Sequence, residues 1–194
     1  LFFPTIQSRA QTLWRSELLG RPTDSSITVN VIFSDSAEVR IRYGITSGVY
    51  PYQTPWRIFA DSIPAETVIH GLLPDTKYYY IIQYRHPGTT GANNRPEFSF
   101  HTQRRPGSAF TFVIEADPHL DSISDTAMYR LCLRNQRDDN PDFMIDLGDF
   151  LMTDKLKDTV TNTIPFDTIP YRCNLLRSFY ETECNSVRSE EHTS

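Results

Sequence analysis

The period of the hydrophobic pattern changes once along the chain, at residues 104–108. Before this segment apolar and polar residues alternate in short runs, so that Val39, Ile41 and Tyr43 would share one face of a strand. After it, residues 109–116 form a nearly continuous apolar run, which is typical of a strand covered on both faces. The segment itself, Arg-Arg-Pro-Gly-Ser, favours a linker. The pattern therefore predicts two structural units.

The first unit is predicted to be an all-β sandwich, because short strands and turns recur from residue 27 to residue 102. Residues 27–33 and 37–43 flank a Ser-Asp-Ser turn and are expected to pair antiparallel. Residues 72–78, Leu-Leu-Pro-Asp-Thr-Lys-Tyr, resemble the L-x-P-x-T-x-Y stretch of fibronectin type III modules. The resemblance implies a tyrosine corner, in which the buried Tyr78 hydroxyl bonds an upstream backbone group.

The second unit begins with a strand, a helix and a strand. Residues 124–137 have helical spacing, and residues 142–147 form a second apolar run. Such a βαβ unit makes its two strands parallel, and ligands collect at their carboxyl ends. Those ends carry Asp117, His119 and Asp149. Carboxylates and imidazole suit zinc, iron or manganese, so the sequence predicts a metal site there.

These strand ends resemble the motifs of the calcineurin-like metallophosphoesterases. Asp117-Pro118-His119 matches the D-x-H motif of that family, and Gly148-Asp149 matches its G-D-x-x motif. The resemblance implies that Asp117 and His119 hold one metal ion and that Asp149 bridges it to a second. The two ions would be Fe, Zn or Mn, and the substrate would be a phosphoester. No catalytic side chain beyond the metal ligands is implied.

The combined expectation is a fibronectin type III-like sandwich followed by the start of an α/β metallophosphoesterase domain, an order that resembles purple acid phosphatases and related bacterial phosphoesterases. The expected boundaries are an N-terminal extension at 1–19, the sandwich at 20–103, the linker at 104–108 and the incomplete α/β domain at 109–187. Residues 188–194 resemble the translation of a sequencing adapter. Residues 153–187 are expected to form an insertion or loop.

The sequence also departs from these families. Purple acid phosphatases carry Gly where His119 stands and Tyr where Met152 stands. The later motifs G-N-H-[DE] and G-H-x-H are absent from the sequence. The resemblance therefore implies an inactive fragment of a longer enzyme, in which the second half of the active site is missing. Asp121 and Asp146 are expected either to support the ligands or to be ordinary turn and strand-end carboxylates.

Charge and hydropathy exclude two classes of function. Lys and Arg total 19 against 24 Asp and Glu, a net charge of −5, so no diffuse positive field is available for general nucleic-acid binding. No run approaches the roughly 18 to 20 apolar residues of a membrane-spanning helix. An extracytoplasmic location is implied by the resemblance alone, and no signal peptide is visible. The sequence does not define an oligomeric state.

Two other interpretations of the site stay open. In the first, Asp117 caps the following segment, His119 is an ordinary loop histidine and Gly148-Asp149 is a turn, as in a non-catalytic adhesion or spacer protein built on the sandwich. Alternatively, the same metal scaffold would serve a phosphodiesterase rather than a phosphomonoesterase.

The cysteines are sparse and do not form a disulfide framework. Cys132, Cys173 and Cys184 contain no CxxC pair, so plain thiols are expected, with a Cys173–Cys184 bridge as the alternative. Cys132 is expected in the core.

Overall fold

The computed structural model describes residues 13–61, 63–120, 124–150, 157–158, 160–184 and 189–191. In chain order, the strands of the first unit are β1 (Leu13–Gly20), β2 (Ser26–Phe33), β3 (Ala37–Gly44), β4 (Tyr52–Gln53), β5 (Arg57–Phe59), β6 (Ala65–His70), β7 (Lys77–Arg85), β8 (Asn93–Asn94) and β9 (Phe98–His101). These strands form two antiparallel sheets. Residues 13–19, expected in the N-terminal extension, form most of β1.

The predicted β-sandwich is confirmed, but one predicted pairing is wrong. One sheet has the order β1-β2-β6, and the other places β3 between β4 and β7, with β8 and β9 on β7 and β5 on β3. The strands expected to pair with each other, β2 and β3, therefore lie in different sheets. The turn at residues 34–36 crosses between the sheets, because each strand buries its apolar face in the shared core. That core includes Tyr80, Phe33, Leu19, Ile27 and Ile41.

Tyr78 occupies the predicted tyrosine corner. Its side chain is buried, and its hydroxyl accepts a hydrogen bond from the backbone N–H of Leu73 at 2.9 Å. Thr102 closes the same corner, because its hydroxyl donates to the Leu73 carbonyl at 2.7 Å and accepts from the Thr76 N–H at 2.9 Å. The predicted contact with an upstream backbone group is thus confirmed.

The second unit contains β10 (Phe112–Glu115), α1 (Thr126–Asp138), β11 (Phe143–Asp146), α2 (Thr168–Cys184) and β12 (Ser189–Glu191). The predicted strand, helix and strand are confirmed, and β10, β11 and β12 form a parallel sheet. Residues 189–191, expected to be adapter-derived, form β12. Residues 168–184, within the segment expected to be an insertion or loop, form α2. No helix in the described part of the chain is long and apolar enough to cross a membrane.

The parallel sheet is covered on one face, not on both as predicted. Met144 and Asp146 are buried beneath the helices, together with residues of α1 and α2 such as Leu133 and Phe179. On the opposite face Phe112 and Ile114 are exposed. The apolar run predicts burial on both faces because both sets of alternate positions are apolar, but no described element packs on the second face.

Helix α1 buries Tyr129 and Leu133. Asp125 caps its first turn by accepting from the N–H groups of Ala127 and Met128, each at 3.0 Å. The prediction that Cys132 lies in the core is wrong, because Cys132 is exposed and the next residue, Leu133, is fully buried. Successive residues of an α-helix are rotated by about 100° around its axis, so neighbouring residues lie on different faces. Cys132, Cys173 and Cys184 are thiols that are not joined by disulfides.

Helix α2 ties the second unit to the sandwich through β1. The Arg177 guanidinium donates to the Ser16 hydroxyl at 2.9 Å and to the Asn30 side-chain oxygen at 2.7 Å. Arg95, on the sandwich, forms an ion pair with Glu181 of α2. Arg95 also lies 3.7 Å from Glu17, which is buried in β1. The contact therefore includes charged and polar side chains, beside the apolar cluster that Leu18 of β1 forms with Leu176 and Phe179 of α2.

Glu17 is a buried carboxyl group at this contact. The Tyr80 hydroxyl donates to its Oε1 at 2.6 Å, whereas its Oε2 has no hydrogen-bond partner among the described residues. Burial raises the pKa of Glu17 to about 7, although the hydrogen bond from Tyr80 and the charge of Arg95 act in the opposite direction. Compared with the unfolded chain, the folded state therefore shifts this side chain toward its protonated form.

We predict that Tyr78→Phe lowers the free energy of unfolding of the sandwich by about 1 kcal/mol, because the Leu73 N–H loses its acceptor. Urea unfolding measures the change. The matched control is Tyr52→Phe, which removes a hydroxyl from an exposed ring and should change the stability little. Equal stability of the Tyr78→Phe variant and the wild type would contradict the corner.

We also predict that Glu17→Gln makes the free energy of unfolding depend less on pH. The folded-state pKa of Glu17, about 7, lies above the unfolded value of 4.5, so the folded state binds more protons between these values. Wild-type stability should therefore fall as the pH rises through this window, by up to about 3 kcal/mol from this group.

Urea unfolding at several pH values between 4 and 8 tests this effect. The Gln variant should gain stability relative to the wild type as the pH rises. The control is Glu66→Gln, which removes an exposed carboxylate in place of a buried one. A pH dependence of the Glu17→Gln variant equal to that of the wild type would exclude the effect.

Candidate metal centre

The three predicted ligands come together at one edge of the parallel sheet. One ligand atom from each of Asp117, His119 and Asp149 lies within 4.8 Å of the others. The His119 Nε2 is 3.6 Å from Asp117 Oδ1 and 3.6 Å from Asp149 Oδ2. The imidazole therefore lies between two carboxylates that come from different strand ends.

Backbone hydrogen bonds hold the two loops together beyond the strands. The N–H of Asp117 donates to the carbonyl of Gly148 at 3.2 Å, and the N–H of His119 donates to the carbonyl of Asp149 at 3.2 Å. One step further, Leu120 donates to Phe150 at 3.0 Å. Each ligand-bearing loop thus fixes the position of the other, and the candidate site depends on both.

The backbone at the ligands adopts an unusual conformation. The φ values are +52° at Asp117, +46° at His119 and +53° at Asp149. They lie in the left-handed region, which residues other than glycine rarely adopt. Gly148, which precedes Asp149, has φ +96°. Strained backbone of this kind is concentrated at functional sites, where the surrounding structure compensates for its cost. Three such residues in one cluster favour a functional interpretation over an ordinary turn.

The donor set fits one metal ion. Two atoms that are each about 2.1 Å from a tetrahedral ion lie about 3.4 Å apart, close to the two observed separations of 3.6 Å. Three protein ligands leave a coordination position for water or substrate, as in catalytic sites. The side chains of Asp117, His119 and Asp149 are 67%, 46% and 77% exposed, so solvent and small molecules reach them freely.

The donor set does not complete a two-ion centre. Within the described part of the chain, no other cluster of three His, Cys, Asp or Glu side chains offers ligand atoms close enough to share an ion. Asp149 has a second carboxylate oxygen for a bridging role, but the described residues add no further His, Cys, Asp or Glu to the cluster. Asp121 and Met152, considered from the sequence, lie outside the described residues.

Asp146 is a buried carboxylate at the end of β11, next to the candidate site. Its Oδ1 accepts a hydrogen bond from the N–H of Gly148 at 2.8 Å. Its Oδ2 accepts from the Tyr180 hydroxyl at 2.8 Å. Asp146 therefore stabilises the turn that precedes Asp149, a contact that fits both expectations for this residue.

Glu115, which lies opposite Asp146 in the neighbouring strand, also accepts hydrogen bonds through its carboxylate. Its Oε1 accepts from the Tyr129 hydroxyl at 2.5 Å, and its Oε2 accepts from the Gln136 amide at 3.1 Å. The Tyr180 hydroxyl, whose single proton is shared with the closer Asp146 Oδ2, lies 3.0 Å from Glu115 Oε1. Burial raises the pKa of both tyrosines well above the ordinary value, so their hydroxyls stay protonated and donate. Sequence reasoning missed these tyrosines.

No protein-family model matches the chain, and no curated protein matches it. Among solved structures, the chain is similar to the sensor domain of the anti-sigma factor RsgI4 from Pseudobacteroides cellulosolvens, with 12% identity over 48% of this chain and 76% of that chain and a TM-score of 0.37. It is also similar to two domains of human fibronectin type III domain containing protein 3. One has 16% identity over 54% of this chain and 99% of that domain, with a TM-score of 0.37.

The second of these, the sixth fibronectin type III domain, has 19% identity over 53% of this chain and 94% of that domain, with a TM-score of 0.36. Both human domains are fibronectin type III modules, the family that residues 72–78 resemble. Because the TM-scores are below 0.5, the assignment of the sandwich rests on the strands of the chain itself. The matches carry no argument about the metal cluster.

We predict that Asp149→Gly unfolds at a higher urea concentration than Asp149→Ala. Both variants lose the same carboxylate, but only glycine adopts the positive φ of this position without strain, so it should be the more stable by about 1 kcal/mol. The same pair of substitutions at Asp138, an exposed position in α1, should give the opposite order. An alanine variant as stable as the glycine variant at position 149 would refute the observed loop geometry.

Proposed function

We propose that the chain binds a divalent or trivalent metal ion through Asp117, His119 and Asp149, and that this site belongs to a metal-dependent phosphoester hydrolase. The observation that carries the proposal is the convergence of three ligand-type side chains from two strand ends within 4.8 Å. The phosphoester class comes from the resemblance of D-x-H and G-D to the metallophosphoesterase motifs. An extracytoplasmic location is part of this proposal on the same resemblance.

The roles of the residues follow from their chemistry. His119 would offer its neutral Nε2, and the two carboxylates would balance the charge of the cation. A bound ion supplies Lewis acidity toward a phosphoryl oxygen. Without it, Asp117 and Asp149 repel an anionic phosphoester, since like charges at this separation interact unfavourably. The exposure of the cluster leaves the substrate free to approach.

A second candidate function is a non-catalytic adhesion or spacer protein built on the sandwich. The exposure of the three ligand-type side chains favours it, because exposed acidic groups are common without a bound ion. In this case the positive φ values at Asp117 and Asp149 belong to loops with no ligand. Metal binding in solution separates the two functions, since the second requires none.

We predict that the 194-residue chain binds Mn²⁺ or Zn²⁺ and that Asp149→Ala or His119→Ala weakens binding roughly tenfold or more. Isothermal titration calorimetry of the full chain measures the affinities. The matched control is Asp138→Ala, which removes a 64% exposed carboxylate at the last residue of α1, outside the cluster, and which should bind like the wild type. Wild-type binding that is indifferent to both ligand substitutions would favour the non-catalytic function.

We further predict little or no hydrolysis of an aryl phosphate by this chain, because its described ligands hold one ion and two-metal hydrolysis needs two. Release of the phenol is followed in excess Mn²⁺, with the Asp149→Ala variant as the blank. Rapid turnover that a chelator abolishes and Asp149→Ala removes would contradict the one-ion interpretation, although it would support the reaction class.

A further inference from the structure

A chain of hydrogen bonds runs from helix α2 to all three ligand candidates. We infer that Tyr180 and Asp146 are positioning residues for the metal centre: they hold the Gly148 turn, and through it both ligand-bearing loops, in the geometry that binds the ion. This inference rests on the proposed metal site. It assigns to α2, which contributes no ligand, an indirect part in metal affinity.

The first link is the Asp146 side chain. It accepts from the N–H of Gly148, two residues along the chain, at 2.8 Å. A bond of this kind closes a local turn around an aspartate side chain. Here the turn contains the positive φ of Gly148, +96°, and leads into that of Asp149, +53°. The carboxylate of Asp146 therefore stabilises the conformation that brings Asp149 to the cluster.

The second link connects this turn to the other ligands. The carbonyl of Gly148 accepts from the N–H of Asp117, and the carbonyl of Asp149 accepts from the N–H of His119, both at 3.2 Å. A displacement of the turn would lengthen both bonds. The positions of Asp117 and His119 thus depend on the residue that fixes Gly148.

The third link is Tyr180, which is buried in α2. Its hydroxyl lies 2.8 Å from Asp146 Oδ2 and 3.0 Å from Glu115 Oε1, so it reaches the last residue of each strand before the ligand loops. A buried carboxylate oxygen that loses its donor bears a desolvation cost and rotates toward another partner. Removal of the Tyr180 hydroxyl would therefore release the Asp146 carboxylate that holds the turn.

Tyr129 provides a matched comparison within the same core. Its hydroxyl donates to Glu115 Oε1 at 2.5 Å, and it lies 3.5 Å from the Tyr180 hydroxyl. Unlike Tyr180, it makes no hydrogen bond to Asp146 in the described structure. Tyr129→Phe and Tyr180→Phe thus each remove one buried hydroxyl, but only the second removes the contact with the Gly148 turn.

The test is titration of the full chain with Co²⁺, whose visible absorption reports the coordination geometry. Tyr180→Phe should weaken Co²⁺ binding roughly tenfold and change the absorption spectrum, because partners that orient ligands contribute 10- to 100-fold to metal affinity, by a rough general rule. Tyr129→Phe should keep the wild-type spectrum and an affinity within about twofold of the wild type, even where thermal unfolding shows a similar loss of stability.

Asp146 supplies a second, independent pair of variants. Asp146→Ala removes the acceptor for the Gly148 N–H and should weaken binding as Tyr180→Phe does. Asp146→Asn keeps one side-chain oxygen for that N–H and should recover most of the affinity. Should Asp146→Ala fail to fold, the comparison of the two tyrosine variants decides alone.

The outcomes separate this inference from the proposed function. A wild-type chain that binds no Co²⁺, Mn²⁺ or Zn²⁺ would overturn the metal site and the inference with it. Wild-type binding that Asp149→Ala abolishes but Tyr180→Phe leaves unchanged in affinity and spectrum would overturn the inference and leave the metal site standing. An equal loss in the Tyr129→Phe variant would also overturn it, since the effect would then be general loosening of the core.

Discussion

The parallel pairing of β10 with β11 is the interaction on which the candidate metal centre depends. Its register places Glu115 opposite Asp146, so the chain leaves both strands at the same level of the sheet. Beyond the strands, loop hydrogen bonds such as that from Asp117 to Gly148 continue the alignment. A shift of one residue in this register would turn every side chain of one strand to the opposite face and separate the two ligand loops.

Below the carboxyl edge of the parallel sheet, buried polar groups occupy positions that apolar side chains usually fill. A buried carboxylate destabilises a core unless hydrogen bonds satisfy it, and Glu115 and Asp146 receive theirs from Tyr129, Tyr180 and a backbone N–H. Departures from local rules of packing are most frequent at functional sites. The strained loops above and the polar core below therefore support the same location for function.

The sequence predicts the sandwich, the tyrosine corner and the convergence of the ligands because each follows from local pattern. Alternation indicates strands, and the carboxyl ends of parallel strands share an edge whatever their partners. Prediction from the sequence fails where residues far apart in the chain determine the structure. Alternation, for example, does not show which sheet β2 joins. Tyr180 has no local signal either, because its carboxylate partners lie 34 and 65 residues earlier in the chain. The buried face of α2 includes Asn174 and Glu183, so hydrophobic spacing does not reveal that helix.

The most direct test of the central claim is anomalous diffraction from crystals of the chain grown with Mn²⁺ or Zn²⁺. The account predicts an anomalous peak about 2.0 to 2.2 Å from His119 Nε2 and from one carboxylate oxygen each of Asp117 and Asp149. It also predicts that this peak disappears in crystals of the Asp149→Ala variant. A peak bound only to other residues, or none at this edge of the sheet in crystals saturated with the metal, would contradict the account.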